Sequence, residues 1–222
     1  MDLGRLIEDP AWLFDFSFPL KRFEPQGDPR DPTAWSLSEA HRLVGLNQLS
    51  FAERQHETRM GWNENGLYLW IEIPRLAKRD PNAVRSEVAL QFLIDTRCSP
   101  DIHRGTQFCH DFTYRFRSMN DETAEHSRMS AILTAVSRAK EAPRIAMQSD
   151  LWGWLTLHPK VMRIQVYIDS QTLTGYEPTE FDACGMNYVV LDPQYRRFSM
   201  ARLSHTIPLD DPSLWCRAQL VE

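Results

Sequence analysis

The segment IDTRCSPDIHRGTQFCHDF carries the densest set of reactive side chains in the chain: Asp95, Arg97, Asp101, His103, Arg104, Cys109, His110 and Asp111. Imidazole, thiolate and carboxylate all ligate first-row metals, so His103 and His110, with Cys109 or Asp101, are the candidate metal ligands. Their spacing matches no named zinc motif. A nucleophile would pair Cys109 with His103 or His110. Cys109 and His110 are neighbours on an alternating segment and point to opposite faces, so those two do not form the pair directly. His110 shares its parity with Phe108, Phe112, Tyr114 and Phe116. A buried histidine donating to a backbone carbonyl is the structural alternative there. Arg97 and Arg104 beside Asp95 and Asp101 have two uses: salt bridges that order a loop, or a grip on vicinal sugar hydroxyls by planar forks and carboxylates.

The second chemical resource is tryptophan. Trp35, Trp62, Trp70, Trp152, Trp154 and Trp215 are candidates for stacking against the CH side of a pyranose or a nucleobase, with core packing as the alternative for each. Trp152 and Trp154 are two residues apart and share a strand face; Trp70 shares one with Tyr68 and Glu72. The candidate ligand-binding set is therefore Tyr68, Trp70, Asp95, Arg97, His103, Arg104, Trp152 and Trp154. P-loop, GxGxxG, GxSxG and HExxH patterns are all missing, which argues against the common nucleotide, hydrolase and zinc-protease classes. The expectation is a protein that is not an enzyme.

Alternating strands position these residues. In ETRMGWNENGLYLWIEI, two alternating runs flank the turn residues Asn63, Glu64, Asn65 and Gly66, which predicts a hairpin. Leu67, Leu69, Ile71 and Ile73 form its core face; Tyr68, Trp70 and Glu72 form the other. SEVALQFLID and FCHDFTYRFRS repeat the pattern, and LWGWLTLHPKVMRIQVYID predicts a second hairpin turning at HPK. GMNYVVLD, RRFSMARL and LWCRAQLV are further strands. AILTAVSRAKE fits a helical face or a strand, and propensity alone favours helix. The 14 prolines, against 9 glycines, suit short strands joined by ordered loops; LKRFEPQGDPRDPTAW, with Pro25, Pro29 and Pro32, is one such loop. With no linker dividing its 222 residues, the chain reads as a single antiparallel β-sandwich of jelly-roll type with long loops. Residues 1–55 supply N-terminal strands and the Pro-rich loop, and 56–222 the core.

The net charge of −5 argues against a broad nucleic-acid or anionic-membrane surface. No apolar run is long enough to span a bilayer. The N-terminal MDLGRLIEDPAWLFDF has acids among its apolar residues and does not read as a secretory signal. The expectation is a cytoplasmic protein with Cys98, Cys109, Cys184 and Cys216 as free thiols.

GLYLWIEI followed by SEVALQFLIDTR resembles the central strands of family 9 carbohydrate-binding modules and their DOMON-like relatives. A closer resemblance, over about residues 55–222, is to a bacterial subgroup of that fold carrying segments like IDTR…IHRGTQFCHDF and YIDSQTLTGYEPTEFDACGMNYVVLD…DPSLW. The matching residues are Asp95, Thr96, Arg97, His103, Arg104, Phe108, Cys109, His110 and Phe112. Further on they are Leu173, Thr174, Gly175, Tyr176, Pro178, Gly185, Asp192, Pro212, Ser213, Leu214 and Trp215. The resemblance implies an extended AILTAVSRAKE and a non-catalytic module binding a saccharide or related polar ligand. In true family members sugar stacks between tryptophans and calcium ions brace loops. DOMON-like relatives bind haem through Met with His or Lys, which makes Met60, Met162 and Met200 candidate axial partners. The alternatives are a structural or protein-interaction domain without a small-molecule site, as in a homodimer, and a metal- or haem-binding domain.

Overall fold

The computed structural model describes residues 17–43, 56–74, 87–117, 126–191, 197–200 and 209–222. The described strands are β1 (Ser17–Arg22), β2 (Glu57–Asn63), β3 (Gly66–Pro74), β4 (Glu87–Asp95), β5 (Cys109–Arg117) and β6 (Ser127–Arg128). They continue with β7 (Ser130–Ala135), β8 (Leu151–Leu157), β9 (Val161–Asp169), β10 (Ala183–Leu191), β11 (Arg197–Ser199) and β12 (Cys216–Val221). The hydrogen-bonded order is β6-β8-β9-β3-β2-β1-β12-β10-β4-β5-β7, with β11 on β10. The sheet folds on itself, so that β2, β3, β9 and β8 face β12, β10, β4 and β5 across one core. The β-sandwich read from alternation is the fold observed.

Two seams join the layers. Ser127 and Arg128 pair with β8, whereas residues from Ser130 onward pair with β5. The kink lies at Met129, whose N–H donates to Gly153 O at 2.8 Å. The second seam is β1, which runs parallel to β12 over Ser17–Lys21 and to β2 at Lys21–Arg22. This corrects the purely antiparallel expectation. AILTAVSRAKE begins as strand β7, where cross-strand pairing to β5 overrides helix propensity.

Side-chain alternation accounts for the core. Leu67, Leu69, Ile71 and Ile73 of β3 meet Val88, Leu90, Phe92 and Ile94 of β4, with Phe112 and Tyr114 of β5, all at most 2% exposed. Each such side chain contributes about 1.5–3 kcal/mol on burial. The β2–β3 turn has Gly66 at φ +153°, where a Cβ would lie 2.1 Å from Ile168 O. Its carbonyls are held from neighbouring elements: Tyr176 Oη donates to Asn63 O at 2.9 Å, and Tyr167 Oη to Asn65 O at 3.0 Å. The β8–β9 hairpin turns at HPK as expected, with His158 N–H donating to Val161 O at 2.9 Å.

Residues 23–37, the Pro-rich loop, form an ordered strap rather than a free connector. Asp28 and Asp31 accept the backbone N–H groups of Arg30 (2.9 Å) and Thr33 (2.8 Å), which tightens two successive turns. Trp35 Nε1 donates to Pro29 O at 2.9 Å, and Gln165 Nε2 of β9 donates to Pro32 O at 2.9 Å. The strap therefore lies on the outer face of β3 and β9. There Trp35 and Leu37 form a second apolar cluster with Tyr68, Trp70 and Tyr167, against which Phe23 and Trp152 pack. The N-terminal segment 1–16, the connector 118–125 and Asp192 lie outside the described residues.

Candidate binding face

Strand register lays out the outer face of the β2-β3-β9-β8-β6 layer in rows. Arg59, Trp70, Gln165, Trp154 and Arg128 lie opposite one another in turn across the five strands. Gly61, Tyr68, Tyr167 and Trp152 form the next row, and Glu57, Glu72, Arg163 and Thr156 the row on the other side. Four of the candidate ligand-binding residues, Tyr68, Trp70, Trp152 and Trp154, thus share this surface.

They are not equally open. Tyr68 is 0% exposed, closed in by Phe23 at 5.0 Å, Trp35 at 5.4 Å and Tyr167 at 5.1 Å between ring centroids. Burial pushes its phenol up to about 12. Alternation put Tyr68 opposite the main core, and a strap remote in sequence covers it there. Trp70 is 6% exposed, with the guanidinium of Arg59 at 4.7 Å and that of Arg163 at 5.0 Å from its ring centroid. Both cations are tied to acids: Arg59 to Glu57 and Glu39, and Arg163 to Glu72 at 3.3 Å. Trp154 is also buried and stacks on Trp152 with centroids 5.9 Å apart and planes 23° off parallel. Trp152 is the half-buried member of this group. Arg128 lies 4.0 Å from its ring centroid and Arg30 of the strap 5.6 Å. Two rows from Trp152, Thr156 Oγ1 is 2.7 Å from His126 Nδ1. The face therefore joins aromatic surface to cationic forks on rigid strands.

The other four candidates lie on the loop between β4 and β5 and on its entry. Asp95 is 2% exposed and accepts the N–H groups of Arg97 (3.0 Å) and Ser99 (2.8 Å), so its carboxylate is used up in capping the turn. Arg97 does not pair with Asp95 or Asp101. Its guanidinium lies 3.6 Å from the Phe181 ring centroid and 5.0 Å from that of Phe108, and Nη2 reaches Glu177 at 3.4 Å. Arg104 Nε donates to Arg138 O at 2.9 Å. The expected loop salt bridges are thus replaced by bonds to more distant loops, a pairing that sequence proximity does not reveal.

His103, Ser213 and Asp211 bring together the residue types of a hydrolytic triad in the wrong geometry. His103 Nδ1 is 3.2 Å from Asp211 Oδ2 and 3.0 Å from Ser213 Oγ, so hydroxyl and orienting carboxylate compete for one nitrogen. Ser213 Oγ instead donates to Asp211 Oδ1 at 2.5 Å, and Asp211 also caps the Ser213 N–H. A working triad puts hydroxyl and carboxylate on opposite imidazole nitrogens. Cys109 is buried, which pushes its thiol up to about 11, away from the thiolate a nucleophile needs.

His110 is fully buried and stacks on Phe112 with centroids 5.8 Å apart. Its Nε2 accepts the Thr174 N–H at 2.9 Å, so the ring takes a backbone donor where a carbonyl was expected. Burial pulls its pKa down to about 4. The two metal candidates are spent on different partners, and the described residues contain no group of three or more His, Cys, Asp or Glu placed to hold a metal ion. Met60, Met162 and Met200 lie in the main core. All four cysteines are free thiols in this structure.

Arg30, Arg128 and Gln165 did not stand out in the sequence. Arg128 lies in a polar stretch on a two-residue strand, too short for an alternation signal.

No family model matches this chain, and no curated protein does. Among solved structures, it is similar to a family 9 carbohydrate-binding module from Caldicellulosiruptor kristjanssonii in complex with cellotriose. The TM-score is 0.51 at 13% identity, covering 92% of this chain and 93% of the other. A second structure of such a module from that organism, with glucose, gives a TM-score of 0.49 at 14% identity over 92% of this chain and 95% of the other. The first likeness places the fold with the family 9 carbohydrate-binding modules.

Proposed function

We propose that the protein is a non-catalytic saccharide-binding module that takes its ligand at Trp152, on the outer face of β3, β9 and β8. The observation that carries this reading is the half-buried Trp152 ring, stacked on Trp154 and flanked by the guanidinium groups of Arg128 and Arg30. An indole offers a flat apolar surface to pyranose C–H groups, while the guanidinium forks beside it bond to ring substituents. Because the ring sits in a sheet and under a strap, little ordering cost is left for binding. The same fold in the Caldicellulosiruptor module in complex with cellotriose supports the reading. So does the triad-like cluster at His103, whose geometry does not activate Ser213.

The test is titration of the whole chain against a glycan panel, with Trp152→Ala beside the wild type. Wild type is expected to bind at least one glycan, and the variant to bind it about tenfold or more weakly, a loss of about 1.4 kcal/mol. Its far-UV spectrum should be unchanged because the ring is part-exposed. Binding to no glycan, or equal binding by the variant, contradicts the proposal.

A further inference from the structure

The charge on this face is unevenly matched. Of the guanidinium groups lying over its tryptophans, those of Arg59 and Arg163 have carboxylate partners, and Arg30 has a looser one in Asp169 at 3.6 Å. Arg128 forms no ion pair among the described residues. Among the described residues its guanidinium makes one hydrogen bond, from Nη2 to Ser149 O at 3.2 Å, and the residue is exposed above the most open ring of the group. Asp150, next to Ser149 in sequence, accepts the Ser149 hydroxyl at 3.0 Å rather than an Arg128 N–H.

From this we infer that the ligand is an acidic saccharide, a hexuronate-containing glycan whose carboxylate bonds to Arg128 while its sugar ring meets Trp152. The inference rests on the saccharide-binding reading and narrows its ligand class. A guanidinium fork matches a planar carboxylate with two parallel N–H···O bonds, a match that hydroxyls alone do not offer. Arg30 approaches the same indole from the strap, so a ligand seated on Trp152 has a second cation within reach. A neutral glycan leaves the Arg128 charge unmatched and gains only stacking and hydroxyl contacts.

The experiment compares tetragalacturonate with cellotetraose by calorimetry on the whole chain, at low and at raised salt, for wild type, Arg128→Ala and Arg128→Lys. Wild type is expected to prefer tetragalacturonate by about tenfold, the worth of one charge-assisted hydrogen bond. Raised salt should shrink the preference. Arg128→Ala should erase it, weakening tetragalacturonate binding about tenfold more than cellotetraose binding, and Arg128→Lys should keep part of it. Cellotetraose binding as tightly as tetragalacturonate, or a preference that survives Arg128→Ala, overturns the inference while leaving saccharide binding in place. No binding of either ligand overturns the inference; a glycan panel with no binder overturns the underlying reading as well.

Discussion

His110 shows how far a single residue can be read. Its parity among Phe112 and Tyr114 foretold burial, and burial gives it a pH signature. Its folded pKa of about 4 lies below the ordinary histidine value near 6.5, so the native state holds it neutral. His56 is shifted the same way, also to about 4, by burial. The stability tied to these neutral rings is fully present above about pH 6.5. It is lost as pH falls toward 4, because the unfolded chain gains protons that the folded chain does not. The full effect is up to about 3 kcal/mol for His110. Urea midpoints measured from pH 7 down to pH 4.5 should fall. A His110→Gln variant, which keeps an acceptor for the Thr174 N–H but does not titrate, should show a shallower fall; an unchanged slope contradicts this role. What parity could not tell was the partner, since Thr174 lies 64 residues away.

At the scale of elements, β8 does two jobs through alternation. Trp152 and Trp154 point outward, while Gly153 points inward at the seam where Met129 crosses between layers. A Cβ on Gly153 would lie 2.6 Å from the Tyr114 ring, which is itself fully buried and has no room to retreat. Gly153→Ala is expected to cost about 1–3 kcal/mol by overpacking. Chemical denaturation reads that directly, and a loss below about 0.5 kcal/mol contradicts the packing described. Both hairpins and the main-core faces of β3, β4 and β5 were legible because a period of two survives in any sheet context. The outer face of β3 was not. Whether Tyr68 is open depends on the strap at 23–37, and nothing in GLYLWIEI records that Trp35 lies on top of it. The parallel pairing of β1 was hidden for the same reason, since its partners come from residues far along the chain.

At the scale of the whole molecule, the two seams make the described strands one hydrogen-bonded sheet whose two ends, β6 and β7, are neighbours in the chain. The opposite layers then present different surfaces, and the aromatic–arginine face belongs to one of them alone. The tryptophans divide accordingly. Trp62 and Trp215 are structural, their indole N–H groups donating to Val221 O at 3.1 Å and Leu209 O at 3.2 Å. Trp152 and Trp154 belong to the proposed site. The chain's seven tryptophans give seven indole N–H resonances, assignable by single Trp→Phe variants, and their response to added glycan shows whether the ligand sits at Trp152. A bound glycan should shift the Trp152 resonance most, with Trp154 beside it, and leave Trp62 and Trp215 in place. Resonances that stay unmoved across a glycan panel, or shifts confined to Trp62 or Trp215, would contradict it.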